Sequence, residues 1–149
     1  MAKVLAGVVA GYVVMLAVVF GLMSLAWVIL GAEGAFQPGT FAVTGTWIAA
    51  SIVVALVAAV AGGWTCARIT PDPRAIRLLV GLVVVLGVVF AIPVLTAPAG
   101  PPPPRPEGLA MMEAMKQGVQ PGWVALLNPA LGAVGALIGS RLRAGRAAA

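Results

Sequence analysis

The sequence predicts an all-α fold, an integral membrane four-helix bundle made of two hairpins, and three observations support this fold class. Only 9% of the 149 residues are charged and 62% are apolar, whereas about a quarter of the residues in soluble globular domains are charged. The apolar residues form four long runs without Lys, Arg, Asp or Glu, each close to the roughly 20 residues that cross a bilayer as a helix. Backbone polar groups in lipid must be hydrogen-bonded within the spanning segment, which favours helices over strands.

The four runs place the whole chain, residues 1–149, in a single transmembrane domain. The first run, residues 4–30, corresponds to about 40 Å of helix, which exceeds a hydrocarbon core of about 30 Å and allows it to cross with tilt. This run is about twice as long as the apolar part of a cleaved signal peptide, so we expect a retained first span. The other spans are predicted over residues 40–67, 78–95 and 121–140.

The connections between the spans differ in length. The first, residues 31–39, is short, and the second, residues 68–77, contains two prolines that turn the chain back, so both favour tight hairpins. The third, residues 96–120, is a proline-rich outer loop. Its prolines at 101–104 predict polyproline II, and residues 107–117 predict a short helix on the membrane surface.

The distribution of cationic residues predicts the orientation. The chain has nine Lys and Arg against four Asp and Glu, a formal charge of +5. Four alternating spans place seven of the nine on the side that holds both termini: Lys3, Arg68, Arg74, Arg77, Arg141, Arg143 and Arg146. By the positive-inside rule this side is cytoplasmic, so both termini are expected in the cytoplasm.

The four tryptophans lie at the ends of the predicted spans. Trp27, Trp47 and Trp123 fall on the outer side, and Trp64 falls at the inner end of the second span. Tryptophan prefers the headgroup level of a bilayer, where its ring is apolar and its N–H stays hydrated. All four are therefore predicted to be interfacial anchors.

Two internal similarities favour a duplication of the hairpin. Residues 11–22 and 81–92 share seven of twelve residues, and Gln-Pro-Gly at 37–39 recurs at 120–122. Valine-rich helices match one another readily by chance, however, so coincidence without common origin is the preferred interpretation and duplication is the alternative.

Small residues recur every four positions along three of the spans. These are Gly7 with Gly11, Ala55 with Ala59 and Gly63, Ala58 with Gly62, and Gly135 with Gly139. Small residues let helix backbones approach closely in lipid, where the hydrophobic effect does not drive association. We expect packing within the bundle, and the alternative is a face for a partner or a second copy.

A polar dipeptide interrupts the fourth span. Pro129 lacks the N–H that would bond to the preceding turn, so a helix kink is predicted there, and the amide of Asn128 is costly to leave in lipid. Counted from the nearest tryptophans, Ser24, Ser51 and Asn128 lie about 5, 6 and 8 Å below the outer interface. We therefore predict a buried polar cluster of these three residues. It could bind a small ligand or line a permeation path, or it could serve only as hydrogen-bonded contact between helices.

Composition narrows the chemistry. One cysteine and no histidine leave no intramolecular disulfide, no paired metal site and no Ser-His-Asp or Cys-His site. The four acids lie outside the spans, whereas ion-coupled transporters usually place ionisable residues within them. We accordingly predict no catalytic residue, no cofactor and no metal, and we expect no enzyme.

The expected function is that of a non-enzymatic scaffold or accessory subunit that associates with other membrane proteins. The alternative is a small homo-oligomeric transporter or pore. The expected partners are the lipid bilayer and other membrane proteins or further copies of the chain, and few charges in so apolar a chain do not fit a nucleic-acid-binding surface. Frequent Ala, Gly, Val and Arg with little Lys indicate a GC-rich bacterial genome, hence a multi-pass protein of the bacterial plasma membrane.

Overall fold

The computed structural model describes residues 1–98, 100–106, 108 and 111–148. It confirms an all-α bundle of four long apolar helices, with one short helix between the third and the fourth of them. The helices are α1 (Ala2–Ala35), α2 (Gly45–Ile69), α3 (Pro73–Thr96), the short α4 (Met111–Gln117) and α5 (Gly122–Ala148). Each of the four long helices is long and apolar enough to cross a membrane, which makes this a multi-pass membrane protein.

The helix boundaries reflect local capping and backbone geometry. Gly31 has φ 63° and ψ −175° inside α1, which ends the regular helix where the first span was predicted to end; glycine adopts this left-handed region without steric cost. Thr44 caps α2 by accepting a hydrogen bond from the Trp47 amide at 3.1 Å. Asp72 caps α3 by accepting one from the Arg74 amide at 2.8 Å, and Pro73 suits the first position of a helix.

Three predicted boundaries were displaced. The second span begins at Gly45 instead of residue 40, because residues 40–43 form hydrogen bonds with other loop segments. The third begins at Pro73 instead of residue 78, because its cap lies before the charged turn. The fourth span continues past residue 140 to Arg143, and its helix continues to Ala148. A surface helix was predicted over residues 107–117, and α4 covers 111–117 of this range. Positions 107, 109 and 110 lie outside the described residues.

The two helices at the centre of the bundle, α2 and α5, run parallel and make its most extensive contact. Helix α1 packs antiparallel against α2, and α3 packs against α5. The start of α1, the α2–α3 turn and the end of α5 therefore lie together, and we call this the terminal end. The opposite end carries residues 36–44 and 100–119, and we call it the loop end.

The small-residue faces lie between helices of the same chain. A Cβ added to Gly11 would be 2.8 Å from the carbonyl oxygen of Gly62, and one added to Gly63 would overlap the Ala136 carbonyl group. A Cβ added to Gly135 would be 2.6 Å from the Cβ atom of Ala59. The helices approach so closely at these glycines that a larger side chain would collide with the neighbouring helix. These faces are therefore used for packing within the bundle.

The repeated Gln-Pro-Gly segments occupy different environments. The first forms a turn at the loop end, where Gly39 has φ 68° and the Gln37 amide donates to the carbonyl of Ala42 at 2.8 Å. The second leads directly into α5, where the Val124 amide donates to the carbonyl of Pro121 at 3.0 Å. The two tripeptides are therefore not structural equivalents, although both hairpins are antiparallel pairs.

Candidate functional site

The loop end carries a folded cap built from three segments, residues 36–44, 100–106 and 111–119, which we call the loop-end cap. The Phe41 amide donates to the Pro103 carbonyl at 3.1 Å, and the Val119 amide donates to the Phe41 carbonyl at 2.8 Å. The Arg105 amide donates to the carbonyl of Gly39 at 2.9 Å. The loop before α2 and the loop between α3 and α5 are thus joined by backbone hydrogen bonds.

Aromatic side chains fill the space beneath the cap. Trp27 packs edge-on against Phe36 and Trp47, with ring centroids 6.3 and 6.0 Å apart, and Phe36 packs the same way against Phe41 at 5.9 Å. Phe36 and Phe41 are 2% and 1% exposed. Edge-to-face pairs of this kind add about 0.5–1.5 kcal/mol each to the burial of the rings.

The tryptophans predicted as anchors divide into two groups. Trp47 is buried, and Trp27 is half-buried in the same aromatic cluster, so both serve packing beneath the cap. Trp123 is exposed on α5, and half-buried Trp64 lies 5.1 Å from the guanidinium carbon of Arg68 at the terminal end. These two positions suit an interface with lipid headgroups.

An ion pair ties the cap to the bundle. Nη2 of Arg105 lies 2.6 Å from Oε1 of Glu33, and the Arg105 side chain is 7% exposed whereas that of Glu33 is 78% exposed. The Arg105 guanidinium also lies 6.0 Å from the ring centre of Phe36. Sequence reasoning missed this site because it used the cations only for their distribution between the two sides of the membrane. The available signal for the ion pair was a single arginine in the proline run of one outer loop and a single glutamate in the other.

The structure brings together two of the three residues of the predicted polar cluster. Ser51 and Asn128 line one cavity of about 220 Å³ together with Gln120, and the Ser51 hydroxyl donates to the Ile48 carbonyl at 2.8 Å. Ser24 is exposed on α1 and does not line this cavity. Its neighbour Met23 does, and successive helical residues are rotated by about 100°, which turns Ser24 away.

The cluster is also less buried than expected. Asn128 lies at the rim of the cavity and is an exposed residue, and Ser51 is half-buried. A bilayer around the bundle would surround the open side of this cavity at the depth that the sequence predicts for Asn128. The structure contains a half-open polar recess that is lined by three spans and the cap.

Pro129 lies at a helix contact. Its ring is buried against α3, and a Cβ added to Gly87 would lie 2.7 Å from the Pro129 Cγ. Helix α5 continues from Gly122 to Ala148 past this residue. The bend that Pro129 should produce remains a prediction, and its observed partner is a glycine that makes room for the ring.

A second cavity, of about 270 Å³, lies deeper between the helices. Tyr12 and Met15 of α1, Ala58 of α2 and Phe90 of α3 line it, together with Gly132 of α5. All four spans contribute to it, and Tyr12 supplies its one hydroxyl among the lining residues. The bundle therefore holds an apolar cavity below the polar recess.

No group of three His, Cys, Asp or Glu side chains in the described part of the chain is placed to hold a metal ion. No protein-family model, curated protein or solved structure matches this chain. The functional proposal consequently rests on the geometry of its surfaces and cavities.

Proposed function

We propose that this protein is a non-enzymatic accessory or scaffold subunit of the bacterial plasma membrane, and that the loop-end cap is its docking surface for another membrane protein. The observation that carries the proposal is the attachment of a proline-rich loop to the bundle by backbone hydrogen bonds and by Arg105. Pro101, Pro103, Pro104 and Pro106 are exposed on this loop, while its backbone is bonded to the first loop.

A surface of this kind suits protein recognition for an energetic reason. Proline has a fixed φ, and a segment already held in place loses little conformational entropy when a partner binds. Extended proline-rich segments are recognised through their exposed rings and carbonyl oxygens by aromatic-lined grooves. The partner expected here therefore has an aromatic-lined surface on the same side of the membrane.

The orientation assigned to the protein places the cap outside the cytoplasm. The arginine-rich terminal end supports this orientation, because cytoplasmic loops of membrane proteins are enriched in Lys and Arg. Both termini are then cytoplasmic, and the partner contacts the cap from the outer side. Reporter fusions at the N-terminus and after Arg146 are expected to report the same compartment.

The alternative, a small homo-oligomeric transporter or pore, is favoured by a different observation. The polar recess at Ser51 and Asn128 lies above the apolar cavity at Tyr12, and both are formed between spans. Transport would require the two to join into one path. In that case copies of the chain, rather than a different protein, would cover the exposed helix faces.

Site-specific photo-crosslinking in intact membranes separates the two functions. A photoreactive residue replaces Pro103 in the cap or, as a matched control, Phe90 on α3, which is 70% exposed away from the cap. The accessory role predicts a crosslink from position 103 to one different polypeptide, lost when Phe41→Ala disrupts the cap. Crosslinks between copies from position 90, with none to another protein from position 103, would contradict it and favour the oligomeric pore.

A further inference from the structure

The terminal end carries a basic cavity that the docking function does not use. A cavity of about 290 Å³ lies between the α2–α3 turn and α5 and is lined by Thr70, Asp72, Ser140, Arg141 and Arg143, among others. The side chain of Arg143 is half-buried, and its Nε atom has no hydrogen-bond partner. Within the described part of the chain, neither arginine forms an ion pair.

Two grooves extend from this cavity along the surface of the bundle. The first, of about 530 Å³, lies between Trp64 of α2 and Ile138 and Leu142 of α5, and Arg141 lines both this groove and the basic cavity. The second, of about 620 Å³, is lined by Val57, Val60 and other residues of α2, and it shares Trp64 with the first. The basic cavity thus borders an apolar groove on the lipid-facing surface, with Arg141 between them.

The depth of these features matches the layers of a phospholipid. A Cβ on Gly139 would lie 2.8 Å from the Trp64 amide nitrogen, so Trp64 is level with Gly139. Arg141 and Arg143 therefore lie about 3–6 Å further toward the terminal end, at the level of the headgroups beyond a tryptophan belt. The first groove lies at the level of Trp64 and the headgroups, and the second, along Val57 and Val60, lies below Trp64 at the level of the acyl chains.

We infer that the terminal end binds one anionic phospholipid. Its phosphate accepts hydrogen bonds from the guanidinium groups of Arg141 and Arg143, and an acyl chain lies in the grooves that meet at Trp64. Arginine suits this role because its planar, always charged group donates several hydrogen bonds to a phosphate.

Asp72 sets the strength of this binding. Its carboxylate lines the cavity, where its negative charge opposes a phosphate, and it also accepts the capping hydrogen bond from the Arg74 amide. Asparagine caps helices as well as aspartate does. Asp72→Asn thus removes the charge and keeps the cap of α3.

The test uses the full-length protein in mild detergent, titrated with phosphatidylglycerol or with phosphatidylcholine of the same acyl chains, and native mass spectrometry to count bound lipid. We expect one phosphatidylglycerol to bind more tightly than phosphatidylcholine. Arg141→Gln and Arg143→Gln should each weaken phosphatidylglycerol about fivefold, and both together about 30-fold, since each cation near an anionic lipid contributes about a factor of five.

Two further variants keep the test independent of folding. Arg74→Gln removes a charge at the same end from a residue that does not line the cavity, and it should change binding less than about twofold. Asp72→Asn should tighten phosphatidylglycerol binding about two- to fivefold, a gain that a misfolded protein would not produce.

Three results would overturn the inference. Equal affinity for the two lipids would remove the role of the charge, and an equal loss in Arg74→Gln would show nonspecific attraction. Displacement of phosphatidylglycerol by an equimolar amount of inorganic phosphate would identify a site for free phosphate instead. None of these results affects crosslinking at the loop-end cap, so the two proposals fail separately.

Discussion

The arginines at the two ends of the bundle differ in their ion pairing. At the loop end, Arg105 is buried with its charge paired to Glu33 and its backbone bonded to Gly39. At the terminal end, Arg141 and Arg143 form no ion pair with the described residues. One arginine Nε atom is buried without a hydrogen-bond partner at each end, that of Arg105 and that of Arg143. The comparison shows a loop end whose buried arginine is charge-paired within the chain and a terminal end whose two arginine charges remain available to molecules outside it.

The largest expected effect comes from removing the aromatic support of the cap. Phe41→Ala deletes a ring that is 1% exposed, and such deletions cost about 3–5 kcal/mol. We expect the cap to open while the spans remain helical. Hydrogen exchange at the amides of Val43 and Val119, both bonded across the cap, measures this opening.

Phe90→Ala is the control for this change, because Phe90 is 70% exposed on α3. Its effect on the same amides should stay within about 0.5 kcal/mol. Equal deprotection in both variants would mean that the cap depends on the bundle as a whole and not on its own aromatic cluster.

A smaller effect is expected from the ion pair. Glu33→Gln leaves the buried Arg105 without its carboxylate but retains a hydrogen-bond acceptor, and because Glu33 is largely exposed the cost should be about 1 kcal/mol. Exchange at the Phe41 amide reports the loss. High salt should shrink the difference between the variant and the unmodified protein, since it screens exposed charges.

The smallest expected effect is the difference in stability between the helix caps at the two ends. Thr44→Ala at the loop end and Asp72→Ala at the terminal end should each cost about 1 kcal/mol, as N-cap losses do. The threonine change should cost more, because its hydroxyl also donates to the Gly34 carbonyl. Thermal unfolding in detergent measures both, with Thr44→Ser as the control that preserves the hydroxyl. A larger loss in Asp72→Ala would reverse the ranking.

The sequence was sufficient for the spans, because hydropathy and length alone decide which segments can cross a bilayer. It was insufficient for the cap, since Glu33 and Arg105 are 72 positions apart and their pairing depends on how two loops meet. Capping shifted the start of α3 from residue 78 to Pro73, because Asp72 fixes it locally.

The polar cluster shows a further limit of sequence reasoning. Counting residues from a tryptophan gave the depth of Ser24, Ser51 and Asn128 but not the direction in which each one points around its helix. Two of the three share a recess, and Ser24 is turned to the exposed side of α1. Depth is set by the bilayer, whereas direction is set by contacts between helices.

Biogenesis of this protein must occur in two stages. Helix α2 meets its antiparallel neighbour α1 as soon as the first hairpin is inserted, but it meets its parallel neighbour α5 only after the last span has entered the membrane. During synthesis the glycine face around Gly63 therefore remains without its packing partners Ala136 and Gly139 until α5 is inserted. Insertion and docking are separable steps, as expected for helices that are individually stable in lipid.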